Sequence, residues 1–127
     1  MAGYLIDNNV ISNFLAGRFT KSALDFVGEI IDQTPSISVI TQIEALSWVN
    51  PDKQKEAAIR SFISDAHIIP LSDEVVKKCV SIRRTKKTRT PDTFIAATAI
   101  VHDMTLLTSD NDFQGIQGLN VINPHDL

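Results

Sequence analysis

One stretch of the sequence, residues 91–113 (PDTFIAATAIVHDMTLLTSDNDF), restricts the possible folds more than any other. From Phe94 to Val101 nearly every residue is apolar or small, which is typical of a helix surrounded by protein rather than one with a solvent-exposed face. The next run, from Thr105 to Thr108, is short, β-prone and flanked by turn-forming residues. The stretch therefore predicts a core helix that leads into a buried strand.

Similar short β-prone runs occur along the rest of the chain, and helical segments separate them. Strands are predicted at residues 3–6, 37–40, 67–69, 105–108 and 120–122. Such alternation is typical of βαβ units, which build a parallel sheet with helices on both faces. The predicted fold class is therefore α/β, with a central, mostly parallel sheet of five strands.

Capping residues and apolar spacing predict where the helices begin and which faces they bury. Thr90 is the predicted N-cap of the helix that contains Asp92, with Pro91 at its first position. Two other helices have predicted buried faces, namely Ala57, Ala58, Phe62 and Ile63 in the helix at 52–64, and Val75, Val76, Cys79 and Val80 in the helix that Ser72 caps.

The length of 127 residues suits one domain with its own core, so residues 1–127 are interpreted as a single domain. No apolar run is long enough to span a membrane. Cys79 is the single cysteine, which excludes an intrachain disulfide. We therefore expect a cytoplasmic protein in a reducing environment.

Five acidic residues follow the predicted strands or lie in the helices beside them. Asp7 follows the first strand, Glu44 lies in the helix after the second, and Asp92 begins the helix before the fourth. Asp110 and Asp112 follow the fourth strand. Because ligands of such sheets bind at the carboxyl ends of the strands, where the strand order reverses, these carboxylates are expected to converge there.

A cluster of carboxylates favours a bound cation, because like charges at short range raise each other's pKa unless a cation offsets them. Oxygen ligands without neighbouring histidine or cysteine favour Mg²⁺ or Mn²⁺. Such an ion lowers the pKa of a bound water and neutralises charge on a phosphate. A phosphodiester is the substrate that this chemistry predicts.

Each acid also has a purely structural explanation when it is considered alone. Asp7 could close an Asx-turn, Glu44 could complete a capping box with Thr41, and Asp92 could be a favourable charge in the first turn of a helix. The two acids after the fourth strand could be ordinary loop residues. The occurrence of all five in this order is what favours a metal site.

A basic run interrupts an otherwise acidic chain of formal net charge −3. Seven of the twelve Lys and Arg residues lie between Lys77 and Arg89, with no acidic residue among them. The run could be only the solvated end of a helix, where the dipole favours positive charge. Alternatively, its C-terminal members could hold the phosphates of RNA beside the acids, namely Arg84, Lys86, Lys87 and Arg89.

Four segments of the sequence resemble the PIN-domain ribonucleases, and among them the VapC-type toxins of type II toxin–antitoxin systems. These segments are YLIDNNVI with Asp7, ITQIEAL with Glu44, PDTFIAATAI with Asp92, and LLTSDNDF with Asp110 and Asp112. The resemblance spans nearly the whole chain. It implies a PIN-like three-layer sandwich and an endoribonuclease that depends on Mg²⁺ or Mn²⁺, forms a homodimer and is inhibited by a cognate antitoxin.

The same resemblance implies roles for individual residues. The implied catalytic residues are Asp7, Glu44, Asp92 and Asp110. The implied metal ligands are Asp7, Asp92, Asp110 and Asp112, and the residues that support them are Asn9 and Thr108. Asn8 and Ser109 depart from the family pattern, in which Thr or Ser is commoner at the first position and a basic residue is frequent at the second.

Two other classes of protein fit the sequence less well. A catalytically silent PIN-fold module that binds RNA or protein would normally have lost one or more acids, and all of them are present here. A receiver-type signalling domain is also a small α/β unit with an acidic Mg²⁺ site. It would carry an adjacent pair of acids after the first strand and a lysine after the last strand, and the sequence has neither.

Overall fold

The computed structural model describes residues 3–127 and contains one five-stranded sheet in which all neighbouring strands are parallel. The strand order is β3-β2-β1-β4-β5, and the strands are β1 Tyr4–Ile6, β2 Ser36–Ser38, β3 His67–Ile69, β4 Thr105–Leu107 and β5 Asn120–Ile122. The predicted α/β class and its five strands are confirmed. Their limits differ most at β2, which ends at Ser38 because a helix begins at the next residue.

Six α-helices lie within the described part of the chain. They are α1 Asn8–Leu15, α2 Lys21–Asp32, α3 Val39–Leu46, α4 Lys53–Asp65, α5 Asp73–Thr85 and α6 Thr90–Val101. Two short 3-10 helices, Asn111–Phe113 and Pro124–Asp126, flank β5. None of the helices in residues 3–127 combines the length and the apolar character needed to cross a membrane.

Side chains that alternate along the strands divide the hydrophobic core into one cluster on each face of the sheet. Leu5 and Leu106 belong to a cluster with residues of α5 and α6. Their neighbours Ile6 and Leu107 belong to a second cluster with residues of α1, α2 and α4. All four are fully buried, and a side chain of this size contributes about 1.5–3 kcal/mol when buried. The predicted three-layer arrangement, with helices on both faces, is confirmed.

α6 is more deeply buried than the other described helices, as its apolar sequence predicts. Seven of its residues are buried, including Ile95, Ala97 and Ala99. The buried hydroxyls of Thr93 and Thr98 donate to backbone carbonyls one turn earlier, at 2.8 and 2.7 Å, so neither is left without a partner. Small side chains along α6 allow α5 to pack closely against it.

Two predicted helix starts are wrong by one or more residues. α6 has Arg89 rather than Thr90 at its N-cap, and the Thr90 hydroxyl instead accepts a hydrogen bond from the guanidinium of Arg83. α3 is capped by Ser38, whose hydroxyl accepts the backbone N–H of Thr41 at 3.1 Å. Thr41 is therefore inside α3 and not at its start. Thr41 and Glu44 therefore do not form a capping box at the start of α3.

Two predicted buried faces also need correction. In α5, Val76 and Val80 are 45% and 52% exposed, and the buried stripe is Val75, Cys79 and Ile82. Those three recur at the i, i+4 and i+7 spacing of a helix face. In α4, the residues Ala57 and Ala58 are exposed, Phe62 is half-buried, and the helix packs through Ile59 and Ile63. The reason is that these larger side chains lie on the stripe that faces the core.

The strand order reverses at β1. β2 and β3 lie on one side of it, whereas β4 and β5 lie on the other. The segments that follow β1 and β4 therefore emerge side by side at the carboxyl edge of the sheet. Crevices at such a switch point are the usual ligand sites of open α/β sheets.

Candidate metal centre

The Asp7 carboxylate lies directly after β1, and only 6% of the residue is exposed. Its backbone N–H donates to the carbonyl of Leu107 at 3.0 Å, which extends the pairing of β1 with β4 by one residue. Asp7 is also the N-cap of α1, and its Oδ1 accepts the backbone N–H of Asn8 at 2.8 Å. The sheet and the helix together fix this carboxylate at the switch point.

Thr108 and Asn9 hold the other oxygen of Asp7. The Thr108 hydroxyl donates to Oδ2 at 2.7 Å, and the Asn9 amide donates to the same oxygen at 3.1 Å. The side-chain oxygen of Asn9 accepts the backbone N–H of Ser109 at 3.1 Å. The hydroxyl oxygen of Thr108 accepts the backbone N–H of Asp110 at 3.1 Å. Asn9 and Thr108 thus connect the start of α1 to the loop after β4. The resemblance implied for both residues a role in supporting the metal ligands, which stays a prediction.

Three carboxylates form a compact group at the same edge. One oxygen each of Asp92, Asp110 and Asp112 lies within 4.8 Å of the others. Asp92 is buried, Asp110 is half-buried and Asp112 is exposed, so the group extends from the protein interior to solvent. The Oδ1 atom of Asp110 accepts the backbone N–H of Asp112 at 2.9 Å and so shapes the turn that carries both. The loop after β4 thus holds its two acids close to Asp92 of α6.

Burial and nearby charges change the ionisation of two of the acids, Asp7 and Glu44. Burial raises the pKa of Asp7, and the charges of Asp92 and Asp110 raise it further, while hydrogen bonds from Thr108 and Asn8 act in the opposite direction. Partial burial also raises the pKa of Glu44, and the charges of Asp7 and Asp92 add to this effect. The negative charges of the group therefore repel one another, and a cation among them would relieve that repulsion.

The donor set fits a hard divalent cation. Mg²⁺ binds oxygen at about 2.1 Å, so two of its ligands lie at most about 4.2 Å apart. The 4.8 Å group of Asp92, Asp110 and Asp112 needs only small side-chain movements to reach that geometry. The group contains oxygen donors alone, which favours Mg²⁺ or Mn²⁺. Asp7 lies outside this group of three, and both its oxygens accept hydrogen bonds.

Arg89 contacts the group from the N-cap of α6. Its Nε and one terminal nitrogen both approach Oδ2 of Asp92 at 3.1 Å. The arginine side chain is 73% exposed, so solvent screens this ion pair and limits its contribution to stability. A cavity of about 290 Å³ lies beside the pair, and its walls include Lys86, Lys87, Thr88, Asn111 and Asp112. Cations and carboxylates thus share one opening.

Comparison with known families now bears on this arrangement. The sequence profile of the PIN domain family matches residues 4–119, which include all five acids. The chain belongs to the PIN domain family. Toxins built on the PIN domain are generally nucleases.

Several solved structures are similar to this PIN domain. A toxin–antitoxin complex from Klebsiella pneumoniae is 27% identical, with a TM-score of 0.71 over 96% of this chain and 98% of that one. FitAcB from Neisseria gonorrhoeae is 25% identical, with a TM-score of 0.78 over 98% and 99%. VapBC-1 from nontypeable Haemophilus influenzae is 19% identical, with a TM-score of 0.78 over 95% and 97%, and supports the fold alone. No curated protein sequence matches the chain significantly.

The PIN domain brings together most of the residues that the sequence singled out. The charges of Asp7, Glu44, Asp92 and Asp110 act on one another, and Asp112 completes the three-oxygen group. Among the four predicted RNA-binding residues, the three that line the cavity beside Asp92 are Lys86, Lys87 and Arg89.

Arg84 is the exception among the predicted RNA-binding residues of this PIN domain. It lines a neighbouring cavity with Arg83 and Thr85 and does not line the cavity that holds the acids. Thr88 and Asn111 also line the cavity beside Asp92, and neither was predicted from the sequence. The only signal for them was their position in turns between residues that had been singled out.

Proposed function

We propose that this PIN-domain protein is a metal-dependent endoribonuclease and the toxin of a toxin–antitoxin pair. The observation that carries the proposal is the group of three carboxylate oxygens within 4.8 Å, from Asp92, Asp110 and Asp112. It lies at the switch point of the sheet, where the buried Asp7 also ends its strand. Membership of the PIN family agrees with a nuclease.

In this proposal the acids have two roles, metal binding and proton transfer. Asp92, Asp110 and Asp112 would hold Mg²⁺ or Mn²⁺, and Asp7 would serve as a further ligand. When bound, the cation supplies an activated water and neutralises the charge that develops on the phosphodiester. Glu44 lies near enough to Asp7 and Asp92 to feel their charges, and its raised pKa suits it to accept the proton of the attacking water.

RNA is the proposed substrate because cations surround the acids. Lys86, Lys87 and Arg89 line the same cavity as Asp92 and Asp112. They can hold phosphates that the carboxylates alone would repel. Arg84 lies in the adjoining cavity and adds positive charge to the approach.

An antitoxin is the proposed protein partner. The similar structure from Klebsiella pneumoniae is described as a toxin–antitoxin complex and shares 27% of residues with this chain. The described part of the chain also has an apolar groove of about 340 Å³ next to α1 and α4, in which Leu15 and Trp48 are each 42% exposed. An apolar tail of the antitoxin would cover these side chains. We place the protein, as a homodimer, in the cytoplasm.

Substitution of the acids tests the proposal. Asp92→Asn and Asp110→Asn should each lower RNA cleavage by at least about a hundredfold, because each removes a ligand of the cation. Both should also weaken Mn²⁺ binding in calorimetry. Asp25→Asn is the matched control, since Asp25 is an exposed acid that pairs with Lys21 on α2. We expect it to cleave RNA like the unsubstituted protein.

The same measurements separate the nuclease from a silent binding module. Full cleavage by Asp92→Asn, or full cleavage in excess chelator, would contradict the metal mechanism. RNA binding without cleavage, in either Mg²⁺ or Mn²⁺, would support the silent module instead.

A further inference from the structure

A basic groove runs away from the acids along one side of α5. Its cavity of about 680 Å³ lies between the C-terminal half of α5 and the loop of residues 115–118, which precedes β5. The helix contributes Lys78, Ser81 and Thr85, and Lys86 follows at the end of the helix. Among the described residues, those that line this groove include no acid. Its net charge is therefore positive, and it comes from Lys78 and Lys86.

Lys86 connects this groove to the acids. It lines the large groove, the cavity beside Asp92 and Asp112, and a third cavity of about 350 Å³ that shares further lining residues with each of them. Three openings that share one lysine form a continuous path. One end of the path is the three-carboxylate group, and the other end is Lys78 and the loop 115–118.

The loop 115–118 forms one wall of the groove. Gly115 and Gly118 have φ angles of +80° and +85°, which favour glycine. A Cβ on Gly115 would lie 3.6 Å from Nζ of Lys86, so this lysine extends across the loop. Within residues 3–127, the N–H groups of residues 115–118 donate to no backbone carbonyl. Gly115, Gln117 and Gly118 are exposed, so their N–H groups can donate to phosphate or sugar oxygens.

From this path we infer that single-stranded RNA extends from the acids, past Lys86, into the groove between α5 and the loop 115–118. Lys78 and the loop N–H groups contact its phosphates there. A cleft between one helix and one loop suits a single strand, which such proteins hold through charges that follow its backbone. The inference rests on the proposed nuclease function and adds the direction in which the substrate leaves the site.

This path is separate from the exposed apolar side of α5. Lys78 and Thr85 lie on one flank of the buried stripe, whereas Val76 and Val80 lie about half a turn away on the other. RNA in the groove would therefore leave Val76 and Val80 uncovered.

Length-dependent RNA binding tests the path. Binding of fluorescent RNAs of about 4 and about 12 nucleotides, whose shared end reaches the acids, is measured by anisotropy in an Asp110→Asn background that prevents cleavage. Lys78→Ala should weaken binding of the long RNA about fivefold to tenfold and reduce its salt slope by about 0.7, because one phosphate contact is lost. The ratio of the affinities for long and short RNA should fall accordingly.

Lys21→Ala is the matched control, since Lys21 is an exposed lysine of α2, in the helical layer on the other face of the sheet. It should change neither affinity. Equal behaviour of Lys78→Ala and Lys21→Ala would overturn the path. Absence of RNA binding by the background protein itself would instead overturn the proposed function.

Photocrosslinking gives a second readout that does not depend on a folded Lys78 variant. Long RNA with 4-thiouridine beyond the cleaved bond should crosslink to residues 115–118. Crosslinks that map only to other faces of the protein would overturn the path.

Discussion

At the residue scale, Asp7 combines a structural role with a charge that the fold disfavours. Its carboxylate caps α1 and accepts hydrogen bonds from Asn9 and Thr108. Burial and the nearby Asp92 nevertheless raise its pKa, so the metal-free protein is destabilised when Asp7 ionises. A cation at this edge would remove that penalty. The functional acid is thus tolerated by the fold rather than required by it.

The raised pKa of Asp7 predicts how the stability of the metal-free protein changes with pH. A raised pKa in the folded state means that Asp7 contributes stability below its unfolded pKa of about 4, which is lost as the pH rises through the folded pKa. Asp7→Asn should therefore gain stability relative to the unsubstituted protein as the pH increases from 4 to neutrality. Urea unfolding of both proteins in chelator, at several pH values, measures this difference.

The test is how the stability difference between the two proteins changes with pH. The altered hydrogen bonds of the asparagine also change stability, but by the same amount at every pH. Mg²⁺ should abolish the gain, since it neutralises Asp7 in the unsubstituted protein. A stability difference that is constant with pH would contradict the repulsion described for this site.

Some residue-scale features could be predicted and others could not. The order of the acids follows from strand positions that β-propensity and turn residues reveal, so Asp7, Asp92 and Asp110 could be brought to one edge from sequence alone. The contact of Arg89 with Asp92 could not, because it depends on the start of α6 and on a side-chain rotamer. The misplaced cap at Thr90 has the same origin. Neighbouring residues compete for that position, and the guanidinium of Arg83 engages the Thr90 hydroxyl.

At the element scale, α5 has three distinct surfaces. Its buried stripe packs on α6, its basic flank lines the groove described above, and its third side exposes Val76 and Val80. Sequence analysis assigned both valines to the core because apolar residues at 75, 76, 79 and 80 look like one broad stripe. The structure narrows that stripe and leaves two β-branched side chains in solvent. Pairing with a second copy of the chain would bury them, in line with the proposed homodimer.

Substitution on this face tests the pairing. Val76→Ser with Val80→Ser should weaken dimerisation by at least about a hundredfold, since a symmetric interface loses both apolar pairs twice. The free energy of unfolding of the monomer should change little, because both valines are about half exposed. Light scattering after size-exclusion chromatography, over a range of concentrations, measures the assembly.

Val49→Ser is the matched control for the pairing experiment, because Val49 is 80% exposed and lies beyond α3. It should leave the assembly unchanged. A double variant that dimerises as strongly as the control would show that the pairing uses another surface.

At the scale of the whole molecule, the acidic edge and the groove that contains Leu15 and Trp48 are lined by different residues. The acids occupy the carboxyl edge, the cations border them, and the exposed Leu15 and Trp48 line a groove next to α1 and α4. The fold class and the site edge followed from the sequence, because strand–helix alternation and the switch-point rule concern the whole chain. The grooves could not be predicted from the sequence, because they depend on gaps between elements that are distant along the chain.

The antitoxin is predicted to compete with the metal. We expect its tail to lie along the apolar groove and to place a basic side chain among the acids, where a guanidinium can pair with two carboxylate oxygens. Saturating Mg²⁺ should then weaken antitoxin binding, and the antitoxin should weaken Mg²⁺ binding by the same factor. Calorimetry of the purified pair measures both effects.

Trp48→Ala distinguishes the two parts of this interaction. It should lower antitoxin affinity by about tenfold or more through lost apolar contact, and the dependence on Mg²⁺ should persist. A complex in which the antitoxin leaves the acids open, with affinity independent of Mg²⁺, would contradict this mode of inhibition.

The hydrogen bond between Thr108 and Asp7 joins residues 101 positions apart in the chain. The two central strands, β1 and β4, are likewise contributed by distant segments, so their pairing has a high contact order and a large loop-closure cost. During synthesis on the ribosome, Asp7 emerges early but has neither its neighbouring strand nor its hydroxyl partner until most of the chain has been translated. The candidate metal centre is therefore assembled only after β4 and Thr108 have been translated, so we expect a shorter nascent chain to lack the activity proposed for this site.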